Sequence, residues 1–260
     1  MSEHLRLERD GGTATLIIDR PEKKNAMTYA LLGEFIETVR GLSTDPEVRV
    51  VIVTGVPGAF CAGTDLADLA TIPGKTRGVR GEADDTDHWW PIVQCSKPVI
   101  AAIDGPAVGM GAEFSSQCDL RLATPNARFA WNFAHRGLVP DTGAGSWLLP
   151  RLIGHQKALE LLFTGRFVAA DEALALGYVL DVVPAESLLE RAHALSHAIQ
   201  AGSPFSHERI KSLVYAGLGR TVAEHMVDHV QAMKDCFASD DHAEGVASFL
   251  ERRPPRFTGS

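Results

Sequence analysis

Two glycine-bearing loops are the strongest candidates for a reactive site in this chain. The first is Thr54–Leu66 (TGVPGAFCAGTDL), and the second is Gly105–Gly111 (GPAVGMG). Each follows an apolar run, residues 48–53 and 98–103, and each leads into a helical pattern. A strand that ends in such a loop and starts a helix leaves the first N–H groups of the helix without intrahelical acceptors, and it places the positive end of the helix dipole there. Those groups can bind an anion. Two loops of this kind side by side can form an oxyanion hole, in which each donor contributes ~3 kcal/mol. The same glycines also suit tight turns and close packing, and the residues alone leave both readings open.

Other chemistries find less support. Gly109-Met110-Gly111 lacks the third glycine of a dinucleotide-binding GxGxxG, and neither a P-loop nor a GxSxG nucleophile elbow occurs. His193/His197 and His225/His229 have zinc-compatible i, i+4 spacing but lack the HExxH glutamate, and they read as solvated helix faces. No metal site is expected. Cys61, Cys95, Cys118 and Cys236 are far apart and read as reduced thiols in a cytoplasmic protein. With 25 Lys+Arg against 33 Asp+Glu, the net charge of −8 speaks against nucleic acid and anionic membranes as partners. The charged N-terminus is unlike a secretory signal, and no apolar run reaches the ~18 residues of a membrane span.

These loops need a scaffold. The 260 residues, 45% hydrophobic and 22% charged, are enough for one large domain or one domain with an appendage. Residues 4–9 and 13–19 predict a hairpin around Gly11-Gly12. Thr28 predicts the cap of a helix through Arg40, with Leu31, Leu32, Phe35, Ile36 and Val39 on one face. Strands are expected at 48–53, from Pro98, at 119–123 and at 128–131, with helices at 66–70, 85–95 and 110–117. The polar stretch 73–87 reads as a loop, a candidate lid. GLVPDTGAGSWLLPRLIG (residues 137–154) reads as a turn and then a helix, and Asp141 there suits a helix N-cap. From 155 onward the pattern is helical: 155–163, 171–176, 185–201, 203–217, 221–238 and 240–252. The whole is an α/β chain with a core over 1–200 and a helical region over 201–260.

Several blocks in order carry a resemblance to a known family. They are Arg20–Met27 (RPEKKNAM), Ala59–Leu66 (AFCAGTDL), Lys97–Gly105 (KPVIAAIDG), Gly109–Phe114 (GMGAEF), Gly137–Gly143 (GLVPDTG) and Phe249–Arg253 (FLERR). Through them the chain resembles the enoyl-CoA hydratase/isomerase (crotonase) family over essentially its whole length. The resemblance implies a crotonase-like spiral of ββα repeats with a C-terminal helical trimerisation region, giving a homotrimer or dimer of trimers. It implies an acyl-CoA thioester substrate, a bound enolate intermediate, and no cofactor beyond the coenzyme A of the substrate. Carried over residue by residue, the oxyanion donors are the N–H groups of Thr64 and Met110, and most members have Gly where Met110 stands. The coenzyme would lie along Lys23, Lys24, Ala62, Thr64, Asp65 and Leu66, with Arg253 and Phe257 reaching a neighbouring subunit's ligand. Cys61 packs as a small hydrophobe.

Acid–base groups then select the reaction. Adding water across a 2,3-double bond calls for two carboxylates, whereas moving a double bond from C3 to C2 needs one base that shuttles a proton. Family hydratases carry glutamates at the positions of Glu113 and Phe133, so here the first is kept and the second is replaced by an apolar residue. Asp141 stands where some isomerases and the chlorobenzoyl-CoA dehalogenases carry a functional aspartate. Thr142, shared with the latter, does not decide between them. Trp131 and Phe133 are expected to make an apolar pocket wall that raises a neighbouring carboxyl's pKa. The expectation is hydration of a 2-enoyl-CoA or isomerisation of a 3-enoyl-CoA, with Glu113 and Asp141 as the acid–base pair. Alternatives are a non-catalytic acyl-CoA-binding protein and another CoA-enolate reaction such as dehalogenation.

Overall fold

The computed structural model describes residues 2–70 and 90–260. The expected 73–87 lid and the first part of the expected 85–95 helix lie outside the described residues. The apolar runs do form adjacent strands. In one six-stranded sheet the order is β1 (Leu5–Asp10), β2 (Thr13–Ile18), β3 (Val50–Gly55), β4 (Val99–Ile103), β6 (Leu120–Ala123) and β9 (Asp181–Val182). The β1–β2 hairpin is antiparallel, and every later pairing in this sheet is parallel. A second sheet orders β5 (Pro106–Val108), β7 (Arg128–Ala130) and β8 (Val168–Ala169). β3 and β4 are apolar almost throughout because helices cover both faces of a parallel interior strand.

On one face lies α1 (Tyr29–Thr44), four residues longer than its sequence pattern indicated. Thr28 caps it by accepting from Leu31 N at 3.1 Å. Its buried stripe runs through Phe35, which stacks on Phe114 of α4 (Met110–Gln117) at a centroid distance of 5.0 Å. On the other face, Leu188 and Ala192 of α9 (Leu188–Gln200) pack on Ile52, Ile100 and Leu122. Short helices α2 (Leu66–Ala70), α3 (Pro91–Gln94), α5 (Ala144–Trp147) and α6 (Leu149–Ile153) line the connections, followed by α7 (His155–Thr164) and α8 (Ala170–Ala175). The C-terminal helices are α10 (Pro204–Gly217), α11 (Val222–Ala238) and α12 (Asp240–Glu251).

Three departures from the sequence reading stand out. The turn GPAVGMG contains a strand, β5, paired in parallel with β7. Two-residue strands, β8 and β9, occupy the gaps between the helices expected at 155–163, 171–176 and 185–201 and extend the two sheets. The expected 48–53 strand begins and ends two residues later, since Arg49 and Val50 N–H groups first close onto Gly12 O.

Candidate active site

The two glycine loops meet. Cys61 forms a parallel bridge with Ala107 of β5, through Cys61 N to Pro106 O and Val108 N to Cys61 O, both at 3.0 Å. Gly111 makes the approach possible, because a Cβ there would stand 2.1 Å from Cys61 O. Gly63 (φ +103°) turns the first loop, and a Cβ on it would lie 2.9 Å from Val108 O and 3.7 Å from Met110 N. Thr64 is bridged to Met27 in parallel, using Met27 N to Gly63 O and Asp65 N to Met27 O, both at 2.8 Å. Such a bridge uses the polar groups of Met27 and turns those of Thr64 the other way. Met110 opens α4, so its N–H is one of the helix's unbonded donors. Among the described residues, neither the Thr64 nor the Met110 N–H has a backbone acceptor.

A cavity of about 420 Å³ opens where the loops meet, lined by Thr64, Met110, Phe133 and Asp141 among others. Lys23, Ala62, Asp65 and Leu66 also line it, and so does Arg136, which the sequence reading did not single out. Asp65 has a structural task. It accepts from Arg20 Nη1 at 2.6 Å and from Ala67 N at 2.9 Å, which hold its carboxyl below the usual range. Lys24 is not in the lining; it is an exposed left-handed cap (φ +50°) whose carbonyl accepts from Ala62 N. Arg253 and Phe257 are not brought to this cavity in their own chain. Arg253 is paired with Glu244 and Glu251, and Phe257 lies against Gly245 of α12.

Trp131 also departs from its expected place. At 1% exposure it belongs to the core behind the wall, edge-on to Tyr178 at 5.3 Å, because the end of β7 turns it inward while Phe133 faces the cavity.

The two carboxyls differ in setting. Asp141 is on the cavity wall, whereas Glu113 is wholly buried on α4 behind it. Burial pushes the Glu113 carboxyl up to about 8, the nearby Asp141 charge pushes it the same way, and hydrogen bonds from Gly145 N, Thr142 and Ala144 N pull against them. Thr142 Oγ1 donates to Glu113 Oε2 at 2.8 Å. The N-cap role weighed for Asp141 is not realised: α5 is capped by Gly143 with no side-chain bond, and Thr142 Oγ1 accepts from Ala144 N at 3.4 Å. Gln117, on the same face as Glu113 one turn on, reaches Thr142 with Nε2 at 3.3 Å. Its i, i+4 spacing from Glu113 was the available signal. Cys61 is buried as expected, its thiol pushed up to about 12 mainly by burial.

Residues 8–260 match the family model for enoyl-CoA hydratase/isomerase. A "Probable enoyl-CoA hydratase" of Mycobacterium leprae is 34% identical over 94% of this chain and 93% of its own. The "1,2-epoxyphenylacetyl-CoA isomerase" of Escherichia coli is 30% identical over the full length of both chains. Among solved structures, enoyl-CoA hydratase from Mycobacterium tuberculosis superposes with TM-score 0.90 at 30% identity, covering 100% of both chains.

Proposed function

We propose that this chain, which belongs to the enoyl-CoA hydratase/isomerase family, shifts the double bond of a 3-enoyl-CoA to the 2-position, with Asp141 as the proton shuttle. Its family makes it an enzyme of acyl-CoA thioesters, related to hydratases and isomerases alike. The finer choice rests on one observation: Asp141 lines the cavity beside apolar Phe133, while Glu113 is buried behind it.

In this reading the thioester carbonyl accepts from Thr64 N–H and Met110 N–H. The Asp141 carboxylate takes a proton from C2, and the electron pair moves onto the carbonyl oxygen as a dienolate. The two N–H donors and the N-terminal end of α4 stabilise that charge. Asp141 then returns the proton to C4, leaving the 2-enoyl ester. No water enters the product, which agrees with an apolar residue at 133. Lys23 and Arg136 at the cavity are suited to the phosphates of the coenzyme.

A second reading, hydration, is favoured by the charge coupling of Glu113 with Asp141 and by relatives such as the "Short-chain-enoyl-CoA hydratase" of Clostridium acetobutylicum, 32% identical. Matched 2-enoyl and 3-enoyl esters incubated in heavy-oxygen water separate the two by mass spectrometry. Unlabelled 2-enoyl product from the 3-enoyl ester, lost in Asp141→Asn, supports isomerisation. A labelled 3-hydroxyacyl ester formed from the 2-enoyl ester, lost in Glu113→Gln, would replace it with hydration.

The assembly belongs to the same proposal: a trimer or dimer of trimers formed through residues 201–260, in which Arg253 and Phe257 face a neighbour's ligand. The free cysteines, three of them buried, suit the reducing cytoplasm. Among the described residues no helix is long and apolar enough to cross a membrane.

A further inference from the structure

Beside Glu113 stands a side chain that the proposed reaction does not use. Thr142 follows Asp141 in the chain, and its hydroxyl donates to Glu113 Oε2 at 2.8 Å. A hydroxyl has one proton and two lone pairs. Here the acceptor side meets two N–H donors, Gln117 Nε2 at 3.3 Å and Ala144 N at 3.4 Å. With donors there, the hydroxyl proton is directed to Glu113. The backbone of Thr142 is fixed separately, for Trp90 Nε1 donates to its carbonyl at 2.8 Å, and Trp90 is itself braced edge-on against Trp147 at 5.2 Å. Thr142 is thus held from α4, from α5 and from the segment before α3.

We infer that Thr142, aimed by Gln117 and Trp90, is a positioning residue that sets the pH at which Glu113 gives up its proton, and so the pH range over which Asp141 works as the base beside a neutral Glu113. The inference rests on the isomerase reading only for that last clause. A donor to a carboxyl favours its charged form. Two interacting carboxyls titrate as a pair, so a bond to one of them biases both. Around Glu113 the charged neighbour is Asp141. Cys61, in the loop against the start of α4, and Tyr178, against its other flank, are kept neutral, each pushed up to about 12 mainly by burial. Trp131, Thr142 and Gln117 carry no charge. The hydroxyl bond therefore opposes the upward push of burial on Glu113, and removing it lets Glu113 keep its proton to higher pH.

The test uses the full chain with carbon-13-labelled Glu carboxyls, titrated by NMR without substrate, with the Glu113 resonance identified by its loss in Glu113→Gln. Thr142→Val keeps the shape and removes the hydroxyl. Its Glu113 midpoint is expected to rise by about half a pH unit or more, and Thr142→Ser is expected to restore it. Gln117→Leu, which frees the hydroxyl to turn, is expected to shift the midpoint upward by less. In parallel, the pH above which kcat on the 3-enoyl ester falls is expected to move upward with the midpoint in Thr142→Val, with KM little changed. An unmoved midpoint in Thr142→Val, or a serine variant that fails to restore it, overturns the inference. If the valine variant does not fold, an unmoved midpoint in Gln117→Leu overturns it. A shifted midpoint in a protein that turns over no 3-enoyl ester leaves the positioning role intact and removes the isomerase reading instead.

Discussion

Asp141 and Glu113 illustrate how surroundings assign roles to identical chemistry. Both are carboxyls, but one is on a cavity wall and the other is wholly enclosed by α4, Thr142 and the 144–145 turn. Asp141→Asn is expected to lower 3-enoyl turnover by ~10²–10⁴-fold, the usual contribution of a positioned base, with binding of a CoA ester little changed by calorimetry. An intact rate would remove Asp141 from the chemistry. Glu113 supplies a pH dependence. Its carboxyl is pushed up to about 8, so it is neutral below that value and charged above it. A second anion beside the oxyanion site opposes enolate formation, so kcat should fall as pH rises through about 8. A rate that instead climbs through this range would make Glu113 the base. Stability has the same sign: a folded-state value above the unfolded 4.5 favours the fold fully below 4.5, and that advantage is lost as pH rises towards about 8. Glu113→Gln should flatten this part of the melting-temperature profile. Sequence showed both carboxyls because the blocks around them have family spacing. It did not show Thr142 as Glu113's donor, because that contact depends on how the 141–145 turn folds onto α4. Trp131 was misplaced for a related reason: which way a bulky residue points after β7 depends on the packing of Tyr178.

The oxyanion site depends on two elements being in register, the 61–64 loop and the β5–α4 segment. Here a single methyl tests the architecture. A Cβ at Gly111 would lie 2.1 Å from Cys61 O, a backbone atom that cannot rotate away. Gly111→Ala must therefore push α4 off the first loop and separate Met110 N from Thr64 N. The expected result is destabilisation of ~1–3 kcal/mol and a fall in kcat of ~10²–10³-fold, the effect of losing one oxyanion donor. Thermal melting and steady-state kinetics measure the two. A variant with reduced melting temperature but full kcat would show that the two donors need not adjoin. The long periodic elements were readable at this scale: α1 from its apolar stripe and Thr28 cap, and β3 and β4 from unbroken apolar runs. β5, β8 and β9 were not, since strands of two or three residues have no period of their own and form only where a partner strand presents its edge.

At the scale of the molecule, the C-terminal helices raise a question of burial that one chain does not answer. α11 is 17 residues long and buries none of them, leaving Val222 80%, Val227 71% and Phe237 62% exposed. On α12, Phe249 and Leu250 are 83% and 74% exposed. Amphipathic helices keep their apolar stripes covered, and a stable interface removes roughly 1,200–2,000 Å² from water, so these helices are expected to pack on copies of the chain. The tail does not detach to do so. Lys211 of α10 donates to Ile92 O and Lys97 O at 3.1 Å and pairs with Asp119 at 2.8 Å, which anchors the helices on their own core. Dissociation should therefore leave each subunit folded. Light scattering after gel filtration is expected to give three or six chains for the native protein, and one for a Val227→Glu/Phe249→Glu double variant whose circular dichroism is unchanged. That monomer should lose affinity for CoA esters if Arg253 and Phe257 act on a neighbour's ligand, while its Glu113 titration stays as it was. A native protein that runs as a monomer would mean that the exposed stripes serve some other contact, and would return Arg253 to its place beside Glu244 as a purely structural residue.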